Sequence, residues 1–125
     1  MNGGDTFRRS VGSHLWVVIS DPRRDPQRVV IVNMTTVRHN SDRSCLIQAG
    51  EHGFVRHETC IMYAFAKTVA DVDLERQLAA GQIQLLAPVS SILLRRIRDG
   101  AVISDFTPLG IVQVLVDQGI VSDAE

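Results

Sequence analysis

Apolar residues in this chain come in short β-branched runs, and each run is bordered by polar side chains of chemical interest. Four such runs lie between Gly12 and Val69: residues 14–20 (HLWVVIS), 28–37 (RVVIVNMTTV), 44–48 (SCLIQ) and 58–67 (ETCIMYAFAK). The connecting stretches 21–26, 39–42 and 50–53 are rich in Pro, Gly, Asn and Asp. Runs of this length and spacing predict the strands of a small antiparallel sheet or barrel, with the polar clusters gathered at strand ends and loops.

The period changes after Val69. Residues 71–80 carry acids in a first turn and meet Gly81, which predicts a short helix, and residues 82–86 predict a last strand ended by Pro88. Ser90 is the expected N-cap of a helix over 91–98, with Ile92, Leu93 and Ile97 on one face and Gly100 just past its end. Thr107 followed by Pro108 predicts a second cap, opening a helix over 109–118 that ends at Gly119 and buries Leu109, Val112, Leu115 and Val116. The expected architecture is mainly β (α+β), a single domain over 1–125. It has a flexible polar start over 1–11, a small barrel with helices over 12–99, and a C-terminal helical extension over 100–125.

Composition changes this picture little. The 125 residues are 45% hydrophobic and 22% charged with a formal net charge of −1, which fits an ordinary globular domain without a global pull toward polyanions. Twelve of the thirteen cations are arginine, leaving Lys67 as the only lysine, so local anion sites are the place to look. Two cysteines, Cys45 and Cys60, lie inside predicted strands and are expected to be reduced thiols in a cytoplasmic protein. No apolar stretch approaches the ~20 residues of a membrane helix.

Three clusters carry candidate chemistry. Arg23, Arg24 and Arg28 share a proline-stiffened loop that suits either a phosphate backbone or plain solvation. Asn33, Thr35 and Thr36 end the second run. Alternation puts Asn33 and Thr35 on one face and Thr36 on the other, and such amide and hydroxyl groups suit a phosphate or oxyanion as well as a half-exposed strand. The segment 50–60 holds His52 and His57, fit for acid–base work or for structural hydrogen bonds. With Cys60 and His14 they also offer metal ligands, but the spacing matches no zinc signature, so no metal or cofactor is expected.

The order of these segments resembles the MazF/Kid/PemK family of ribonuclease toxins from bacterial toxin–antitoxin pairs. Residues 12–22 (GSHLWVVISDP) look like the family's opening strand and D-P loop, and residues 29–36 (VVIVNMTT) look like its later strand ending in hydroxyl residues. Residues 45–50, 58–65, 66–71, 81–84 and 90–98 follow in the family's order. The resemblance covers roughly residues 12–99 and departs from the family where residues 61–64 (IMYA) carry no charge. It implies an SH3-like barrel with appended helices, a homodimer, cleaving single-stranded RNA without a metal and held by a small antitoxin protein. In that reading His52 and His57 are the acid–base pair, Thr35 and Thr36 contact the scissile phosphate, and Arg23, Arg24, Arg28 and Asn33 hold RNA. Two other classes compete: a non-catalytic module that binds a peptide or protein, and a histidine-based metal-dependent hydrolase.

Overall fold

The fold is organised around one strand, β3 (Val29–Thr36), whose first six residues are all buried. The computed structural model describes residues 1–12 and 14–122. Alternate side chains of β3 leave on opposite faces. Val30, Val32 and Met34 enter the larger core with Leu15, Val17, Ile61 and Tyr63, while Val29 and Ile31 enter a smaller core with Phe7, Val18 and Ile83. A strand covered on both faces is apolar at successive positions, which explains the unbroken VVIV.

Both edges of β3 are also paired. Strand β2 (Leu15–Val18) runs antiparallel along one edge, with Trp16 opposite Asn33 and Val18 opposite Ile31. The other edge is shared by β5 (Thr59–Ile61), opposite residues 34–36, and β6 (Lys67–Val69), opposite residues 29–31. Strand β1 (Thr6–Arg9) continues the sheet beyond β2, β7 (Ile83–Leu86) pairs with β1, and the short β4 (Leu46–Ile47) pairs with β5. The result is a seven-stranded antiparallel sheet that runs from β4 to β7 without those end strands pairing, so it is not closed into a barrel. Helix α1 (Asp71–Ala79) lays Leu74 on the smaller core. Helices α2 (Ser91–Ile103) and α3 (Leu109–Asp117) cover the larger one with Leu93, Ile97, Ile111 and Leu115. Among the described residues no helix is long and apolar enough to cross a membrane.

Several expectations need correction. The start of the chain is not a flexible tail throughout: Thr6–Arg9 form β1, and Phe7 is fully buried between β2 and β7. A four-residue strand with one apolar side chain has too short a pattern to announce itself. The run 58–67 is not one strand. A 3-10 turn at Tyr63–Phe65 breaks it, so that the chain leaves β3 after residue 34 and returns to the same edge at residue 31.

Gly100 does not end α2, which continues to Ile103. It lies within the helix because Tyr63 packs against it, with the phenol oxygen 2.2 Å from where a Cβ would stand. At the next helix the cap is Pro108 rather than Thr107, whose hydroxyl is buried without a hydrogen-bond partner among the described residues. The apolar face of α3 is also displaced from the expected stripe. Ile111, Val114 and Leu115 are buried, whereas Leu109 is 87% exposed and Val112 and Val116 are half-buried.

Candidate functional site

The ends of β2, β3 and β5 meet on one side of the sheet. Trp16 pairs with Asn33, so two steps outward the same register sets His14 across from Thr35. The imidazole is exposed, and its Nδ1 lies 3.2 Å from the Met34 carbonyl oxygen. A carbonyl only accepts, so Nδ1 is the donor in this contact and Nε2 is the nitrogen it leaves unengaged. On the other edge, Thr36 pairs with Thr59 and Thr35 with Cys60. Thr59 Oγ1 donates to the His57 carbonyl at 2.9 Å, which holds the backbone of the exposed His57 at the mouth of β5.

These groups line one groove of about 470 Å³: His14, Thr35, Thr36, His57 and Thr59, with Arg38 and Arg56 contributing positive charge. Among the described residues neither arginine pairs with an acid. Thr35, Thr36 and Arg38 also border a second cavity of about 600 Å³, whose apolar wall includes Met62, Phe65 and Phe106. Asp42 lies at its rim and accepts from the hydroxyls of Ser44 and Ser104, both at 2.6 Å. Burial works against the charge on Asp42, but these bonds and the Ser44 N–H outweigh it and hold the carboxyl below its ordinary pKa.

The expected site residues separate into three groups. His57, Thr35 and Thr36 line one groove. His52 belongs elsewhere: it is buried, its Nε2 donates to the Ala87 carbonyl at 2.6 Å, and its Nδ1 accepts from the Phe54 N–H at 3.0 Å. With both ring nitrogens engaged, His52 ties the loop before β5 to the segment after β7. Arg96 of α2 fastens the same loop by an ion pair to Glu51. Asn33 is buried as well, with its Oδ1 unpartnered among the described residues, and so does not meet the groove through an exposed amide.

Arg23, Arg24 and Arg28 precede β3 at its opposite end. Seven residues of strand at ~3.3 Å each put roughly 23 Å between Val29 and Thr36. Two of these arginines are also neutralised locally. Arg24 pairs with Asp21 at 3.5 Å and donates to the Gln118 carbonyl, and Arg28 pairs with Asp25 at 2.7 Å and Asp117 at 3.8 Å. They fasten the first loop and contact the end of α3. Arg23 is exposed and shares a shallow cavity there with Arg24 and Arg98.

The metal-ligand set does not assemble. Among the described residues no three His, Cys, Asp or Glu side chains are placed to share an ion. Cys60 is fully buried, and burial raises its thiol pKa, which suits a core residue better than a nucleophile. In the sequence His14 stands out only as a metal-ligand candidate, and Arg38 and Arg56 do not stand out. The signal for His14 was present, since it stands two residues before Trp16 on the same face of its strand. The chain matches no protein-family model, no curated protein and no solved structure.

Proposed function

We propose that the protein is a toxin-like, metal-independent endoribonuclease of single-stranded RNA. The observation that carries this reading is one groove lined by His14, His57, Thr35 and Thr36 together with two arginines that have no acidic partner among the described residues. In such a reaction the ribose 2′-oxygen attacks the adjacent phosphorus and the bond to the 5′-oxygen breaks, leaving a 2′,3′-cyclic phosphate. His14 takes the 2′-hydroxyl proton on Nε2, because its Nδ1–H is held by Met34. His57 gives a proton to the departing 5′-oxygen. Arg38, Arg56 and the threonine hydroxyls stabilise the charge that grows on the phosphoryl oxygens.

The open antiparallel sheet with α2 and α3 behind it is compatible with the SH3-like barrel of the MazF/Kid/PemK family. That family likeness, a cytoplasmic homodimer and a small antitoxin partner belong to the same proposal. The test is incubation of purified protein with single-stranded RNA in the presence of EDTA. Cleavage that persists, yields cyclic phosphate ends and falls by ~10²–10⁴ in His14→Ala and His57→Ala is the expected result. Intact RNA under all conditions overturns the reading.

A second reading rests on the apolar cavity beside the groove. Phe65 and Phe106 are 59% and 64% exposed there, a surface that suits a peptide or protein ligand of a non-catalytic module. Absence of cleavage with retained peptide binding would favour it.

A further inference from the structure

Trp16 gathers two cations on one side of the sheet. The Lys67 Nζ lies 5.0 Å and the Arg9 Cζ 5.9 Å from its ring centroid. The β1–β2 register sets Arg9 across from His14, as it sets Phe7 across from Trp16. Phe7, Trp16 and Asn33 form one row across three strands, and continuing both registers past the paired residues brings Arg9, His14 and Thr35 to the next. Directly opposed side chains lie about 5 Å apart at Cβ and diagonal neighbours about 7–8 Å, so the cations adjoin the proposed reacting groups.

Arg24, Arg28, Arg76 and Arg96 each have an acid within reach. Arg9 and Lys67 share with Arg38 and Arg56 the lack of an acidic partner among the described residues, and differ from them in lying over one indole. Burial, and then the charge of Arg9, lowers the Lys67 amine pKa, as expected for two cations without a counter-ion. In the row of Trp16, Asn33 is 6% exposed and keeps a buried Oδ1 with no donor among the described residues. Two cations, an aromatic face and an unused acceptor for an N–H together describe a nucleotide better than a bare phosphate, which has no N–H and no ring.

We propose that Arg9, Trp16 and Lys67 form a nucleotide-binding subsite that takes the phosphate and base adjoining the scissile bond of a single-stranded nucleic acid. This assignment rests on the ribonuclease reading of the neighbouring groove. The incoming phosphate draws the two cations off the ring, and the attached base takes their place on the indole beside Asn33. Stacking and phosphate contact of this kind are the general means of holding single strands without sequence selection.

Trp16 is the only tryptophan, so its emission reports the site without a label. The probe is a single-stranded DNA oligonucleotide, which lacks the 2′-hydroxyl nucleophile and cannot be cleaved by the proposed route. Titration should quench Trp16 emission. Arg9→Gln with Lys67→Gln should weaken binding about tenfold and flatten the dependence of log K on log salt by about 1.4, near 0.7 for each lost contact. With RNA, the same variant should raise KM by a like factor and leave kcat unchanged.

Equal affinity and salt slope in wild type and variant, or an emission that no oligonucleotide moves, would overturn the subsite. So would equal quenching by inorganic phosphate alone. RNA cleavage with unaltered KM in the variant removes the subsite and retains the ribonuclease. Oligonucleotide binding that depends on Arg9 and Lys67, in a protein that leaves RNA intact, retains the subsite and removes the ribonuclease.

Discussion

The Tyr63 hydroxyl stands where a side chain on Gly100 would be. It donates to the Ile97 carbonyl at 2.6 Å, and a Cβ built on Gly100 comes within 2.2 Å of it and 2.9 Å of the Cys45 Cβ. The turn after β5 thus plugs directly into the middle of α2. This contact locks the helix over the larger core, behind the groove.

Gly100→Ala weighs two opposed effects. Alanine gains about 1 kcal/mol of helix propensity over glycine. Against this, the added carbon meets a ring oxygen and a Cβ that are both held by packing, and overpacking of that kind costs about 1–3 kcal/mol or somewhat more. The expected outcome is net destabilisation in urea unfolding, partly relieved by adding Tyr63→Phe. A Gly100→Ala protein as stable as wild type would contradict the close approach.

Alkaline pH should weaken the fold through the same residues. Burial, reinforced by the neighbouring Cys45, raises the Tyr63 phenol far above its ordinary 10.0, and burial also raises the Cys45 and Cys60 thiols above 9.0. Folding favours the protonated forms, so their contribution is complete below those ordinary values. It is lost as pH rises beyond them, because the unfolded chain releases protons that the folded one retains. Tyr63 alone contributes a slope of up to about 1.4 kcal/mol per pH unit above pH 10. Melting curves from pH 8 to 11 should fall, with a shallower fall in Tyr63→Phe.

The two histidines of the 50–60 segment should respond differently to substitution. His52→Ala removes the partner of the Ala87 carbonyl and the Phe54 N–H in a buried position, a loss of about 1–3 kcal/mol. His57→Ala changes an exposed side chain and should leave the melting temperature within the range of a neutral surface substitution, about ±0.5 kcal/mol. In the RNA assay the order reverses, with His57→Ala and His14→Ala losing rate and folded His52→Ala retaining it. A His52 variant that stays fully stable but loses all activity would return His52 to the reacting groups.

Helix α3 should be part of the core rather than an accessory. Ile111→Ala, in the larger core, is expected to cost about 2–5 kcal/mol, while Leu109→Gln, at a position 87% exposed, should cost almost nothing. Truncation after Asp105 removes Ile111, Val114 and Leu115 together, and should lower the melting temperature sharply. Thermal denaturation of these variants decides the matter, and equal effects of the two single substitutions would show that the helix faces the other way.

What the sequence determined by itself was local. Alternation and β-branching marked the segments of β2, β3 and β7, and acids, Ser90 and the glycines marked the helices, because these signals depend on neighbours a few residues apart. It also put Thr35, Thr36 and His57 at strand ends. The tertiary structure decided which strand ends meet, and that depends on register across pairs far apart in the chain. Pairing of β2 with β3 brings His14 to Thr35, while the length of β3 carries Arg23, Arg24 and Arg28 to the far end. Pairing of β1 with β2 places Arg9 beside Trp16, and β6 returns Lys67 to the same ring. Gly100 looked like a helix end because glycine usually stops helices. Only the packing of Tyr63 against it shows that glycine is there for its missing side chain.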